Sequence, residues 1–493
     1  MPREDADVVV IGAGFGGLGA AIRLAELGAR VTLVEALKYP GGCASTFTRG
    51  GWRFESGATL SSGFAPGQLF AKWVDTYGLD VTTAALDPVV TLCAPGWRLA
   101  VGAERAALVT QLKAFAGAPG ERIDAFFARQ KAVADALWPI FAGPSMLPPF
   151  DRAGVLAHLR NLPAYLRLAP TLGRSLAAVL DDHGLAHFEP LTVYLNAVTQ
   201  ITVQGAVDEV EAPIALAAID YYYRGTRHVE GGLGALAEAL LGLARRLGVT
   251  LRMADRVSAL TRVDAGWQVE ARRGPIRAQQ VVCNLLPRAV ATLRGAQGGG
   301  PRLASLSAAV EEGWGAVMLY LGLAPDAPLR PEAQHFALVT DTAAAFVEGN
   351  HVFVSVSGRD EARGPGGART VTASTHLRLK PFRALSPEAQ GRTVARIQAA
   401  MRGSLARHLP DLDGAVVHSL PGSPRTFERF TGRPGGYVGG IPRRAGLASY
   451  RGLGPCESEP GLWLVGDSVF PGQSTLATAL GGVKVAEAAM ARA

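Results

Sequence analysis

The stretch "DVVVIGAGFGGLGAAIRLAELGARVTLVEA", residues 7–36, constrains the fold more than any other part of the chain. Val8 to Ile11 is a continuous apolar run, as a central parallel strand requires. Gly12, Gly14 and Gly17 follow in G-x-G-x-x-G spacing, with Phe15 and Gly16 between them. A helix is predicted from Leu18 to Leu27, closed by Gly28. A second strand, Val31 to Val34, ends on Glu35, 23 residues after Gly12. Gly12 permits the tight turn, Gly14 lets the backbone approach a pyrophosphate, and Gly17 lets helix and strand pack closely. The helix N-terminus supplies free N–H groups and a positive dipole to that pyrophosphate. Glu35 is placed to accept from ribose hydroxyls. In a strand-helix-strand-acid setting, this spacing specifies a Rossmann-like α/β dinucleotide fold.

Two further segments extend this reading. Gly41 and Gly42 in "KYPGGCASTF" come just past the acid, followed by "RGGWRFESGATLSSG". The far end, "GLWLVGDSVFPGQSTLATALGGVKVAEAAMARA", reads as a buried strand, Gly466-Asp467, a Pro-Gly turn, and a small-residue helix from about Ser474. Together these resemble the FAD-binding segments of the amine-oxidase and phytoene-desaturase flavoproteins. In that resemblance, Arg49, Phe54, Glu55 and Gly57 occupy an R…F…D-x-G segment, with Glu55 replacing the usual aspartate. The resemblance implies that Asp467 after Gly466 bonds the flavin ribityl or phosphate. The backbone at Ser474, Thr475 and Leu476 is implied to lie near the isoalloxazine. A third piece, "RHVEGGLGALAEALLGLARRLGVTLRMADRVSAL", reads as a glycine turn, a helix directed toward the flavin, and a strand. The resemblance assigns Val257 to the adenine.

The implied architecture is an FAD-binding domain of glutathione-reductase and amine-oxidase type, discontinuous over about 1–85, 225–290 and 455–493. Residues 291–454 hold strand-like stretches, including "AVMLYLGL", "HFALVT", "HVFVSVSG" and "TVTAST", and are expected to form a mixed sheet flooring a substrate cavity. Residues 86–224 read as mostly helical, a lid or membrane-facing region. There, Arg160, Arg167 and Arg174 recur every seven residues, and Pro163 and Pro170 are expected to break the helix. As a membrane patch, this region would insert Trp138, Phe141, Met146, Leu147 and Phe150; as a core-packed hairpin, it would present only a solvated face.

Composition excludes several function classes. Hydrophobic residues make up 48% and charged residues 18%, as in a packed globular protein. The net charge of +7 comes without any dense basic block, which argues against nucleic-acid binding and suits an anionic membrane surface. The four cysteines form no CxxC pair, so neither a zinc site nor a disulfide framework is expected. No apolar run is long enough for a transmembrane helix, and no signal core precedes the first strand; a cytoplasmic, peripherally membrane-associated protein is expected. No nucleophile elbow, zinc-protease motif or P-loop occurs, and the nine histidines form no ligand pair.

"GGCASTFTRGGWRFESGAT", "SPRTFERFTGRPGGYVGG" and the C-terminal segment resemble the carotenoid branch of this flavoprotein group. The resemblance spans essentially the whole chain. It implies a carotenoid desaturase that passes a hydride to flavin N5 and releases a proton, with FAD reoxidised by oxygen or a membrane quinone. The "PRTFERFTGR" loop with "GGYVGG" is closer to enzymes inserting the 3',4' double bond near one end of a linear carotenoid. Carotenoid cis-trans isomerase and phytoene desaturase are the alternatives within the group. An amine oxidase and a non-redox lipid carrier are the readings outside it. Glu55, a channel tyrosine or water is left as the proton acceptor.

Overall fold

The computed structural model describes residues 4–264, 266–295, 298, 300–453 and 456–492. Its first strand, Glu4–Ile11, has Val8, Val9 and Val10 buried completely. A strand apolar on both faces belongs in the middle of a sheet covered on both sides. It pairs in parallel with Val31–Val34 on one side and Ile276–Cys283 on the other. Thr250–Arg252 continues the sheet beyond residues 31–34, and Leu462–Leu464 joins the last residues of 276–283, both in parallel. The hairpin of Val257–Val263 and Gly266–Ala271 closes the other edge in antiparallel fashion. The front, middle and end of the chain therefore build one sheet.

Two helices cover this sheet and touch each other at their backbones. Phe15–Glu26 leaves the first strand, and Thr475–Met490 ends the chain. A Cβ on Gly482 would lie 2.1 Å from the Gly16 carbonyl oxygen, and one on Gly19 would lie 2.4 Å from that of Ala479. A Cβ on Gly17 would meet the Gly12 carbonyl oxygen at 1.9 Å. Only glycine permits these approaches. They bring the two helix N-termini to the same edge of the sheet.

The second sheet runs in the order 416–422, 314–323, 370–378, 351–356, 334–339, 90–94 and 97–101. Its strand Trp314–Leu323 is buried along its full length. The four strand-like stretches read between 291 and 454 all lie in this sheet. The sheet is mixed, because Gln334–Val339 pairs in parallel with Val90–Ala94 while its other pairings are antiparallel.

The segment 86–224 departs from expectation in three ways. The hairpin Val90–Ala94 and Trp97–Val101 belongs to the second sheet, so the helical part begins only at Arg105. Pro163 does not break its helix. Arg152–Tyr165 runs through it, with Pro163 exposed in the last turn before the chain tightens to a 3-10 turn at Leu166–Leu168. The exposed apolar residues also differ from those anticipated. Leu147 is buried, while Trp138 and Phe141 are half-buried and face inward. Of the five residues expected to insert, Phe150 alone is exposed; beyond it, Val155, Leu156, Leu159, Leu162, Leu166 and Leu172 form the outward stripe.

The Gly482 contact yields a direct test. Gly482→Val should destabilise the fold by about 3 kcal/mol, the upper range for an overpacked core site. A thermal melt of the variant should show a clearly lowered midpoint; an unchanged midpoint would refute the close helix crossing.

Candidate functional site

A cavity of about 830 Å³, mostly apolar in its walls, runs from the glycine loop to the second sheet. Of the residues expected to bind cofactor, Gly12, Gly14, Phe15, Gly16, Glu35, Gly41, Gly42, Val257, Gly466, Asp467, Ser474, Thr475 and Leu476 all line it. Gly17 is the exception, since it is spent on packing against Gly12.

The loop geometry explains why these positions are glycines. Gly12, Gly41 and Gly466 hold φ of +97°, +105° and +109°. The helix Phe15–Glu26 starts at Gly14 with no side chain capping it, so its first N–H groups face the cavity. The Asn284 amide nitrogen lies 2.5 Å from where a Gly14 Cβ would sit, so a side chain there would collide with it.

Glu35 is buried at the end of the second strand. Its carboxylate accepts from the Ala13 N–H and the Leu37 N–H, each at 2.7 Å. Burial holds its carboxyl above the usual carboxylate range, against the pull of those two donors. The same residue's carbonyl accepts from the Asp255 N–H at 2.8 Å, which seats the turn leading to Val257. Arg252 pairs with the buried Asp255 at 2.6 Å and stiffens that turn.

At the opposite end, Asp467 accepts from Arg433 Nη2 at 2.8 Å, and Arg433 Nε donates to the Tyr437 carbonyl at 2.6 Å. Arg433 belongs to the "PRTFERFTGRPGGYVGG" segment, in which the sequence reading did not single it out. Ser474 has φ of +118° and caps its helix by accepting from the Ala477 N–H at 3.0 Å. That bond satisfies the third N–H and leaves those of Thr475 and Leu476 directed toward the cavity end.

Glu55 stands apart from this arrangement, and its candidacy as proton acceptor is corrected. It does not line the cavity. It accepts from the Leu233 N–H at 3.0 Å, and Arg363 sits 3.4 Å away. With Thr46, which accepts from the Gly234 N–H at 2.9 Å, it caps the helix Leu233–Arg246. That helix therefore points at Glu55 and Thr46, not at the cofactor end of the cavity. Arg363 also pairs with Glu361, which accepts from His228 Nε2 at 2.8 Å.

The second-sheet side of the cavity carries Ala316, Met318, Phe353, Ser374 and His376. Among the described residues, neither ring nitrogen of His376 makes a hydrogen bond; its ring packs near Trp314. Burial pushes its imidazole down to about 4, so it is neutral at physiological pH. Tyr221 and Tyr222 face the cavity from the helical side, and Tyr221 donates to the Leu60 carbonyl at 3.2 Å. His376 escaped the sequence reading because an isolated histidine on an apolar strand carries no spacing signal.

Comparison with known proteins agrees with this geometry. The NAD(P)-binding Rossmann-like domain matches residues 10–77. A hydroxyneurosporene desaturase of Cereibacter sphaeroides is 28% identical over 98% of this chain and 97% of its own. The chloroplastic prolycopene isomerase 1 of an Oncidium hybrid cultivar is 24% identical over 98% of this chain and 83% of its own. Over nearly its full length the chain is similar to carotenoid desaturases and isomerases. Among solved structures, wild-type putrescine oxidase bound to putrescine superimposes with a TM-score of 0.66 at 16% identity, covering all of both chains. At that identity, the likeness is one of fold, of the amine-oxidase type.

The buried cluster beside Glu55 makes a prediction about acid stability. Burial alone would raise the Glu361 carboxyl, but the His228 hydrogen bond and the Arg363 charge outweigh it and hold it down to about 2, against an ordinary 4.5. A carboxyl lowered in the folded state stabilises the fold above about pH 4.5, and that stability is lost as pH falls toward 2. The difference corresponds to about 3 kcal/mol. Glu361→Gln should therefore be less stable than the parent in urea at neutral pH, and the gap should close on acidification. A gap that persists at low pH would contradict this assignment.

Proposed function

We propose that the chain is an FAD-dependent oxidoreductase that introduces a C=C bond into a linear carotenoid. The observation that carries this reading is a continuous cavity that joins the glycine-rich loop to a mostly apolar chamber. The residues present suit FAD. The uncapped N-terminus of the helix Phe15–Glu26 offers its first N–H groups to a pyrophosphate, and Glu35 has acceptor capacity left for ribose hydroxyls. Val257 would meet the adenine. Gly41 and Gly42 would let the chain pass close to the diphosphate, and Asp467, held by Arg433, would meet the ribityl chain. The free N–H groups of Thr475 and Leu476 would face the flavin ring. When bound, FAD supplies a two-electron acceptor for hydride, with oxygen or a membrane quinone as the final oxidant.

The protein's own part is to align the polyene and take up its proton. Met318, Phe353 and the two tyrosines exclude water along the chamber. His376, neutral and unbonded, can accept the released proton at a ring nitrogen. A conjugate acid near 4 suffices, because proton loss from a polyene cation needs only a weak base. His376→Phe should then lower turnover by about a hundredfold while FAD content is retained. Turnover equal to the parent's would remove His376 from the chemistry.

Desaturation near one end of the substrate, at the 3',4' position, is favoured by the "PRTFERFTGRPGGYVGG" loop and by the end-to-end likeness to a hydroxyneurosporene desaturase. Isomerisation is the second reading, favoured by the comparable likeness to prolycopene isomerase. Incubating FAD-loaded protein with a lycopene-type carotenoid in vesicles separates them. A product lighter by two hydrogens with red-shifted absorbance is expected, whereas unchanged mass with altered fine structure would establish the isomerase.

The substrate's solubility calls for a membrane surface. No helix among the described residues is long and apolar enough to cross one. The outward stripe of Leu156, Leu159, Leu162 and Leu166 lies among exposed Arg152, Arg160 and Arg167, a pattern suited to an anionic interface. Leu168 and Leu172 of the same segment line the cavity, so the stripe borders the chamber itself. Arg174 is engaged with Asp182 at 2.7 Å and takes no part. Leu159→Asp with Leu166→Asp should abolish co-sedimentation with anionic lipid vesicles and leave the melting point unchanged. Undiminished co-sedimentation would place the membrane contact elsewhere.

A further inference from the structure

We propose that Arg443 binds an oxygen atom at the end of the polyene, so that the chain prefers linear carotenoids bearing a hydroxyl, carbonyl or carboxylate end group over pure hydrocarbons. The proposal rests on the reading of the cavity as a carotenoid chamber.

Three arginines line the cavity: Arg256, Arg433 and Arg443. Arg433 has Asp467 as its counter-ion, and Arg256 acts on the Glu35 carboxyl. Among the described residues, the Arg443 guanidinium has neither an acidic partner nor a hydrogen bond. Its position is nevertheless fixed. The Arg443 N–H donates to the Val203 carbonyl at 3.2 Å, and the Glu211 N–H donates to the Arg443 carbonyl at 3.0 Å. Arg444 forms a bridge with Val210 and pairs with Glu209 at 2.9 Å. Successive side chains in extended backbone point to opposite sides, which leaves Arg443 directed inward. Its Nη2 lies 3.0 Å from where a Gly472 Cβ would sit, so the guanidinium rests against the turn before Ser474. Glu211 makes no ion pair with it; its Oε1 accepts from the Gly173 N–H at 2.8 Å.

One more polar group on the cavity wall lacks a partner. Gln204 Oε1 is buried and unpaired, whereas the Tyr450 hydroxyl is turned to the Glu211 carboxylate. A half-buried cation without a counter-ion and an unsatisfied amide oxygen are costly in an apolar chamber unless a ligand meets them. The group that meets them must carry an acceptor for Arg443; a hydroxyl or acid would also satisfy Gln204 as a donor. A hydrocarbon end offers neither. A site built to hydrogen-bond a substrate oxygen discriminates strongly against the analogue that lacks it.

Binding of lycopene, a hydroxylated lycopene and a carboxylate-ended polyene can be followed by quenching of tryptophan fluorescence in detergent, using full-length FAD-loaded protein. The parent should bind at least one oxygen-ended polyene at least about tenfold more tightly than lycopene. Which of the two it prefers separates a neutral oxygen from an anionic one. Arg443→Leu and Arg443→Gln should lose that preference while keeping FAD and the affinity for lycopene. Equal binding of all three by the parent would overturn the proposal, as would a preference that survives in both variants. Loss of FAD from both variants would also overturn it, by placing Arg443 on the cofactor. An intact, Arg443-dependent preference without turnover of any polyene would uphold Arg443 and count against the redox reading instead.

Discussion

The structure depends on a contact between two backbones. The first helix of the chain and the last cross at Gly16, Gly19 and Gly482, where no side chain has room. Each helix begins at the carboxyl edge of a parallel strand, so the crossing fixes the position of two positive helix ends relative to each other. In the proposed reading, one end meets the phosphate region and the other the ring region of FAD. The 460 or so residues between the two N-termini, about the difference between positions 15 and 475, are accommodated around that constraint. Dispersion of the site over the sequence is thus a consequence of the sheet, which draws its strands from three distant segments.

Charge is distributed according to the same division. The glycine-loop end of the cavity, proposed to hold the cofactor, has compensated ions: Glu35 with two N–H donors, Asp255 with Arg252, and Asp467 with Arg433. The end of the cavity proposed to hold the polyene is apolar apart from a neutral histidine, buried tyrosines and the unpaired Arg443. A second buried ion cluster, Glu55, Glu361, Arg363 and His228, lies outside the cavity and ties the first domain's helix to a loop of the second sheet. Its role is mechanical. Removing a partner would leave a charge stranded in the protein interior.

The dinucleotide half of the fold was legible because its signals are local. Strand, glycine turn, helix and acid follow one another within 30 residues, and Val31–Val34 falls where the apolar run placed it. The C-terminal acid and helix start were legible for the same reason. What escaped was set by tertiary packing. The hairpin 90–101 alternates weakly and gains its sheet membership from a parallel partner more than 200 residues away. Glu55 sits in a segment that resembles a flavin-binding motif, yet its carboxylate turns to a helix cap. Trp138 and Phe141 have the composition of a membrane anchor but line the cavity, while the leucines that do face outward occupy the following helix. Arg433, His376 and Arg443 are single residues whose partners, or lack of them, only the folded chain determines.

The account's central claim is that the cavity carries out a net oxidation of a polyene. The most direct measurement is an anaerobic titration of FAD-loaded protein with an oxygen-ended linear carotenoid, following the flavin absorbance. The account predicts that the oxidised flavin band bleaches in proportion to carotenoid converted, and that it returns when oxygen or a quinone is admitted. Conversion of the carotenoid with the flavin band unchanged would contradict it.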